Sequence, residues 1–427
     1  MLDLDKKEPP TPPCDESPTL KEIKKKIESG KNLFITGGAG TGKSYTLNQL
    51  RKQYKIAVTS TTGISAMNVN GQTIHSWAGI GICNKEIDTV VNEIRYKKQF
   101  ILNQILNCEI LAIDEVSMLD GRTMDYLNEV LKKVRVNLNP FGGIQILAIG
   151  DLFQLPPVKA ENHFCFESGA WFNANFETII LDKVYRQNDI KFITALNNAR
   201  IGALTDYDDI LLQSRNSHND KYYINESDIL HLFGTNKQAD SYNLFKFEKI
   251  EEEPTVYHAE DKIKGENIYY AKALEKNCQA PIQLALKPTA RVMLLRNTDF
   301  SRGLVNGSLG IIESMSEYSI LVKFDNGEEE YINKHEFEYW AEGEIKATRK
   351  QFPLRLAYGL TIHKSQGMTL DCVRINMERI FAAGQAYVAL SRAKSLDGLY
   401  LKNYSASRVF ADEKIILFYR GLTNNVI

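Results

Sequence analysis

The run Gly37-Gly38-Ala39-Gly40-Thr41-Gly42-Lys43-Ser44 constrains this chain more than any other feature. It fits the phosphate-loop pattern GxxxxGK[ST], in which glycines let successive backbone N–H groups turn inward around a β-phosphate where a Cβ would clash. In such a loop Lys43 brings a point charge to the β- and γ-phosphates, and the Ser44 hydroxyl is a ligand for Mg²⁺. The chemistry works only between a strand and a helix. The flanks supply both, because residues 32–36 read as a buried strand and a helix is expected from about Lys43. A Gly-rich connector without function is the competing reading, and this placement disfavours it.

A sheet must hold that loop. Short apolar segments at residues 56–59, 110–113, 144–149 and 178–181 alternate with longer helical stretches, the signature of a doubly wound parallel sheet. Upstream, Leu20, Ile23 and Ile27 recur at helical spacing and Gly30 ends the segment, which predicts a short helix over about residues 19–29. Before it, Pro9, Pro10, Pro12, Pro13 and Pro18 forbid a regular helix, so residues 1–18 read as a flexible lead-in. The pattern restarts with a strand at residues 229–233, a helix near 237–249, and later strands at 374–376 and 398–401. Between these units the texture changes. Short strands at 291–296, 309–314, 319–324 and 329–333, with a hairpin turn at Asp325-Asn326-Gly327, resemble a small inserted β-barrel.

The stretch Ile110-Leu111-Ala112-Ile113-Asp114-Glu115 is an apolar strand ending in two carboxylates. Asp114 would hold Mg²⁺ through water, and Glu115 would orient or deprotonate an attacking water. Alone, the pair could equally cap the next helix; a phosphate loop in the same sheet favours catalysis. After the next strand, in Gly150-Asp151-Leu152-Phe153-Gln154-Leu155-Pro156-Pro157, the Gln154 amide can hydrogen-bond a γ-phosphate and so register hydrolysis. A polar turn closed by prolines is the plainer alternative.

With these motifs in order, the chain resembles the Pif-type (petite integration frequency) DNA helicases of superfamily one, relatives of RecD. Thr59-Ser60-Thr61-Thr62-Gly63 and Gly71-Gln72-Thr73-Ile74-His75-Ser76 resemble that family's first DNA-contacting segments. Residues 118–143, with Asp120, Asp125 and Pro140-Phe141-Gly142-Gly143, are similar to the segment that sets the family apart. Val184-Tyr185-Arg186-Gln187, Thr235-Asn236, Thr361-Ile362-His363-Lys364-Ser365-Gln366-Gly367 and Ala389-Leu390-Ser391-Arg392-Ala393 complete a set spanning about residues 31–420.

The resemblance implies an α/β protein of two RecA-like P-loop NTPase domains with parallel sheets and a small inserted SH3-like β-barrel. Residues 19–182 form the first domain, with a strand-separating wedge near 64–83; 183–255 and 350–427 form the second; 256–349 form the insertion. It further implies that Arg186 and Arg392 are arginine fingers, worth about 10³–10⁵ in turnover, although each alone reads as a surface ion pair. Gln366 and Gly367 join residues 38–44 as nucleotide contacts. Thr61, His75, Ser76, Thr235, Asn236, Thr361, His363 and Lys364 are expected on phosphates and sugars of DNA, and Trp77 and Phe153 stacked on bases. Core packing is an equal reading for Trp77, as is a buried, satisfied histidine for His363. The family's upstream adenine-recognising glutamine has no counterpart in Leu20-Lys21-Glu22-Ile23-Lys24-Lys25-Lys26.

Composition excludes more than it identifies. The net charge of −1 is neutral on nucleic acid, since a basic groove can sit on a neutral protein. The six cysteines are scattered without a CxxC pair, and His163 and Cys165 lack a second ligand pair, so no zinc site is expected. No apolar run approaches the roughly 18 residues of a membrane span. Residues 1–7 carry no apolar or Arg-rich leader, which makes the cytoplasm (or a bacterial nucleoid) the expected compartment. The expected protein is a monomeric DNA helicase using ATP and Mg²⁺. It would move 5′ to 3′ on single-stranded DNA and act at single/double-strand junctions, in DNA repair, recombination, replication or telomere maintenance. An ATP-gated binding switch, an RNA helicase and a small-molecule kinase are the rivals, and Arg186, Arg392 and the duplicated α/β pattern disfavour the kinase.

Overall fold

Six parallel strands make the first sheet: β1 (Leu33–Gly37), β2 (Ile56–Ser60), β3 (Gln72–Thr73), β4 (Ile110–Asp114), β5 (Gln145–Gly150) and β6 (Glu177–Leu181), in the order β3-β2-β4-β5-β1-β6. The computed structural model describes residues 17–69, 71–157, 164–216, 229–299, 301–341 and 344–424; most of the proline-rich lead-in, and His163, lie outside the described residues. Side chains of successive strand residues enter opposite cores. Phe34, Leu111, Ile113, Ile146 and Ala148 face one, and Leu33, Ile35, Ile110, Ala112, Leu147 and Ile149 the other. A sheet covered on both faces needs continuous apolar strands rather than alternating ones, and the sequence has them. Leu20, Ile23 and Ile27 of the helix Pro18–Glu28 close the second of these cores. Because β4, β5 and β1 are neighbours, their carboxyl ends present Asp114–Glu115, the Gln154 turn and the phosphate loop along one edge.

The chain continues through β7 (Leu230–Phe233) into the insertion. This contains β8 (Thr255–His258), β9 (Glu260–Ile263), β10 (Gln283–Leu286), β11 (Arg291–Leu294), β12 (Leu309–Met315), β13 (Ser319–Phe324), β14 (Glu329–Asn333), β15 (His335–Ala341), β16 (Glu344–Gln351) and β17 (Leu354–Leu356). It then returns as β18 (Gly359–Thr361), β19 (Val373–Asn376) and β20 (Leu399–Lys402). The second sheet, β18-β7-β19-β20, is parallel like the first.

The insertion is antiparallel as expected, and Gly327 takes φ +88 in the β13–β14 hairpin. Its strands divide into sheets of five (β14-β13-β12-β11-β17), three (β15-β16-β9) and two (β10-β8). The block expected as a small SH3-like β-barrel is thus a set of antiparallel sheets of these sizes. The insertion also runs on to Leu356, because Leu356 pairs with Val292 on the open edge of β11.

Three expectations are corrected by packing. The helix Glu413–Asn424, assigned by sequence order to the second domain, packs on the first: Ile415 is buried there, and Phe418 stacks on Phe166 at 4.3 Å. Trp77 does not stand free for bases. It is 3% exposed, sealed into the first core with Ile74, Ile80 and Cys83. Phe153 is likewise 3% exposed, stacked on Tyr419 at 4.8 Å. Both rings are large apolar surfaces, and burial in this core removes them from water. No helix among the described residues is long and apolar enough to cross a membrane.

Ile415→Ala should lower stability by about 2–5 kcal/mol in denaturant titration, while Leu417→Ala, on the exposed side of the same helix, should stay within about 0.5 kcal/mol. Trp77→Ala should cost about 3–5 kcal/mol of stability. Affinity for single-stranded DNA, measured below the unfolding transition, should not change. Weakened DNA binding at parental stability would return Trp77 to the DNA surface.

Candidate functional site

The phosphate loop joins β1 to the helix Lys43–Arg51. Neither Gly37, where a Cβ would stand 2.4 Å from Leu181 O, nor Gly40 (φ +77) admits a side chain; at Gly40 a Cβ would stand 2.6 Å from the Cβ of Arg186. That close approach brings the chain after β6 over the loop, with the Tyr185 N–H donating to Gly40 O at 2.8 Å. Lys43 Nζ donates to the loop's own carbonyls, Gly37 O at 2.7 Å and Gly38 O at 2.9 Å. Burial lowers its pKa, with Asp151 and Glu115 pulling the other way. Ser44 is exposed at the first turn of the helix.

Asp114 ends β4 and is 4% exposed; Glu115 follows with φ +52, a left-handed conformation that a non-glycine residue rarely adopts. Burial raises both carboxyl pKa values. The charge of Glu115 adds to the shift of Asp114, and the cations Lys43 and Arg392 oppose that of Glu115. Glu115 Oε2 is buried without a hydrogen-bond partner, an arrangement that a bound cation or water would relieve.

From the other side of the cleft come the two arginines. Arg186 Nε donates to Thr369 Oγ1 at 2.9 Å and its Nη1 to Ser391 O at 3.1 Å. Arg392, 1% exposed, donates from Nε to Val388 O and from Nη2 to Ser391 Oγ, both at 2.9 Å. Its pKa is pulled down to about 9, first by burial and then by the like charge of Arg186, so it remains a cation at neutral pH. Lys43, Ser44, Glu115 and Gln154 of the first domain line one cavity of ≈ 490 Å³ with Arg186, Gly367 and Arg392. That volume suits a nucleotide. Gln366 instead faces a smaller cavity of ≈ 240 Å³ beside Ser44, Asp114 and Glu115, and its Nε2 has no hydrogen-bond partner.

The smaller cavity is also lined by Ser65 and Val69 of the first domain, Lys364 of the second, and Gln279, Asn306 and Arg355 on the side of the insertion. Several expected nucleic-acid contacts sit at carboxyl ends of parallel strands. Thr61 follows β2 and donates to Glu115 O at 3.2 Å, and Thr361 ends β18 with its hydroxyl accepting from Lys364 N at 3.3 Å. Thr235 follows β7 as the N-cap of the helix Asn236–Glu248, whose first residue, Asn236, is exposed. His75 and Ser76 lie on the helix Ile74–Ala78, Ser76 facing out. His363 is half-buried, and burial lowers its pKa.

Sequence reasoning missed Tyr185, Tyr387 and Arg200. Tyr185 lies in a motif already quoted, and its exposed ring edges the larger cavity. The Tyr387 hydroxyl reaches across the cleft to accept from Ala39 N at 2.7 Å. Arg200 belongs to no motif, and only its three-dimensional partner, Asp151, gives it away.

A PIF1-like helicase family model matches residues 17–221, and a model of the DNA helicase Pif1 2B domain matches residues 269–315. The ATP-dependent DNA helicase Pif1 of Bdellovibrio bacteriovorus is 32% identical over 400 residues, covering 92% of this chain and 89% of that protein. The Xenopus laevis ATP-dependent DNA helicase PIF1 is 36% identical over 93% of this chain, which spans 62% of that relative's length. The crystal structure of Pif1 helicase from Candida albicans superposes with a TM-score of 0.81 at 37% identity, covering 96% of this chain and 99% of that one. Bacteroides sp Pif1, at 29% identity and 96% coverage of this chain, matches with 0.81 in complex with ADP-AlF4 (97% of that chain) and 0.72 when bound to ssDNA (97% of that chain). On sequence, fold and motif placement together, the chain belongs to the PIF1-like helicase family.

Proposed function

We propose that this chain is an ATP-driven motor that travels 5′ to 3′ along single-stranded DNA and separates duplex ahead of it. The observation that carries this reading is the sharing of one cavity by Lys43 and Glu115 of the first domain and Arg186 and Arg392 of the second. A triphosphate bound there would replace the loop carbonyls as acceptors for Lys43 and give the buried Arg392 and the half-buried Arg186 their anion. Attraction across the seam would hold the cleft closed, and loss of the γ-phosphate would release it.

Within the closed cleft, Glu115 orients the attacking water and accepts its proton, and Gln154 hydrogen-bonds the γ-phosphate or that water. Arg186 and Arg392 neutralise charge developing on the γ-phosphoryl oxygens. Ser44 and Asp114, hard oxygen donors beside the unpartnered Glu115 Oε2, fit Mg²⁺, which when bound supplies charge neutralisation between the β- and γ-phosphates. The exposed ring of Tyr185, in place of the absent upstream glutamine, is the available platform for a base.

The threaded strand would follow the carboxyl ends of the two sheets, over Thr61, Thr235, Asn236 and Thr361, past Lys364 and Arg355 in the smaller cavity. Hydroxyl, amide and cationic groups of this kind hold phosphates without reading sequence. Bacteroides Pif1, a relative of the same architecture, binds both ADP-AlF4 and ssDNA, which favours DNA over RNA as the track. For the wedge, Ile74, Trp77, Ile80 and Cys83 root residues 74–83 in the core and leave Ser76 and Ile82 facing outward.

Lys43→Ala should abolish ATP hydrolysis with an unchanged unfolding transition; a normal rate in this variant would remove the loop from the reaction. Glu115→Gln should keep nucleotide affinity and lose about 10²–10⁴-fold in turnover. The parent's ATPase should rise with single-stranded DNA more than with RNA, and a duplex with a 5′ tail should be unwound in preference to one with a 3′ tail. DNA-stimulated hydrolysis without strand separation on either substrate would make the chain a gated clamp instead of a motor.

A further inference from the structure

Gln154 lies on a turn whose neighbouring residues are anchored in different domains. Leu152 and Phe153 are buried in the first core, and Leu155, fully buried, in the second. The fully buried Asp151 shapes the turn, its Oδ1 accepting from Phe153 N at 3.2 Å. The same carboxylate is gripped by Arg200, whose Nε donates to Oδ1 at 3.1 Å and Oδ2 at 3.0 Å and whose Nη2 donates to Oδ1 at 2.8 Å. Arg200 ends the helix Ile190–Arg200, of which Phe192, Leu196 and Ala199 belong to the second core. Its guanidinium also lies 4.7 Å from the Phe153 ring centroid and 5.2 Å from that of Tyr419. On the opposite side the second domain's backbone closes in at Gly384, where a Cβ would stand 2.2 Å from Phe153 O and 2.5 Å from Gln154 O.

We infer that Arg200 is a positioning residue that makes the place of Gln154 depend on where the second domain sits, so that DNA bound across the cleft controls hydrolysis through this contact. A buried carboxylate cannot be left without its cation at low cost, so a displacement of the helix Ile190–Arg200 must carry the Asp151 turn with it. The planar guanidinium matters because it fixes the carboxylate in orientation as well as in charge. Misplacement of a reacting group by about 1 Å costs on the order of 10²-fold in rate, enough to switch turnover on and off. The inference rests on the motor reading above, and its test separates the two.

The experiment is steady-state ATPase with and without single-stranded DNA on the full chain, alongside thermal unfolding. Arg200→Gln should keep the DNA-free rate and the KM for ATP while the DNA-stimulated kcat falls on the order of 10²-fold. Arg200→Lys should recover only part of the stimulation. Leu155→Ala, which loosens the turn's other anchor, should lower stimulation in the same selective way and serves if Arg200→Gln does not fold. Unchanged stimulation in a folded variant overturns the inference. So does a proportional fall of DNA-free and stimulated rates, which is what a merely structural role produces. A parent enzyme indifferent to DNA would overturn the motor reading, and this inference with it.

Discussion

Cations held on both sides of a buried seam are the condition from which the rest follows. Lys43 arrives from the first domain and Arg186 and Arg392 from the second, and they line one cavity, Arg392 buried and the other two half-buried. Two like charges about 4 Å apart repel by about 4 kcal/mol at an effective dielectric constant near 20. The lowered pKa of Arg392, driven first by burial and then by Arg186, shows such repulsion between the two arginines on the second domain's side. Glu115 relieves part of it, but Asp151 is already engaged by Arg200. On the proposed reading, a polyanion entering the cavity would give these cations a common partner and so couple closure of the cleft to occupancy of the phosphate loop.

The parallel sheet makes this meeting possible. The loops leaving β4, β5 and β1 must lie side by side at one edge, because those strands are neighbours and all point the same way. Local strain is concentrated at the same edge. Glu115 occupies the left-handed region at a cost of about 1–2 kcal/mol, held there by buried neighbours on either side, Asp114 and Val116. The strain turns its carboxylate toward the cleft instead of letting the strand continue.

What could be read from the amino acids alone were features with local causes. The phosphate loop depends on eight consecutive residues, and most strands of the two parallel sheets depend on short apolar runs, the exceptions being β3 (Gln72–Thr73) and β18 (Gly359–Thr361), which no such run announced. Such signals survive without knowledge of the partner elements. Sequence leaves Trp77 open between core and DNA surface and points Phe153 the wrong way, because an aromatic side chain carries the same identity in either place; only the neighbours, Ile74 and Tyr419 among them, distinguish the two. The helix Glu413–Asn424 follows the second sheet in sequence, yet its apolar side fits the first core, and nothing local records that return. The insertion's sheets were invisible as separate bodies, since strand sequences specify pleating far better than they specify which edge stays open. Arg200 was out of reach for the same reason: its partner lies 49 positions away.

The seam is also not a free hinge. The chain first crosses it directly over the phosphate loop, where Tyr185 N is bonded to Gly40 O and Arg186 packs against Gly40. It crosses back into the helix Glu413–Asn424, whose Tyr419 hydroxyl shares a hydrogen bond with Thr36 at the loop's entry, 2.5 Å away, and accepts another from Leu152 N at 3.3 Å. Both crossings therefore pin the second domain close to the phosphate loop. On the proposed reading, a pivot placed there would let small changes around a departing phosphate act with little lost motion. A triphosphate at the pivot and DNA farther out would, on the same reading, let a short-range chemical event become a displacement along a polymer.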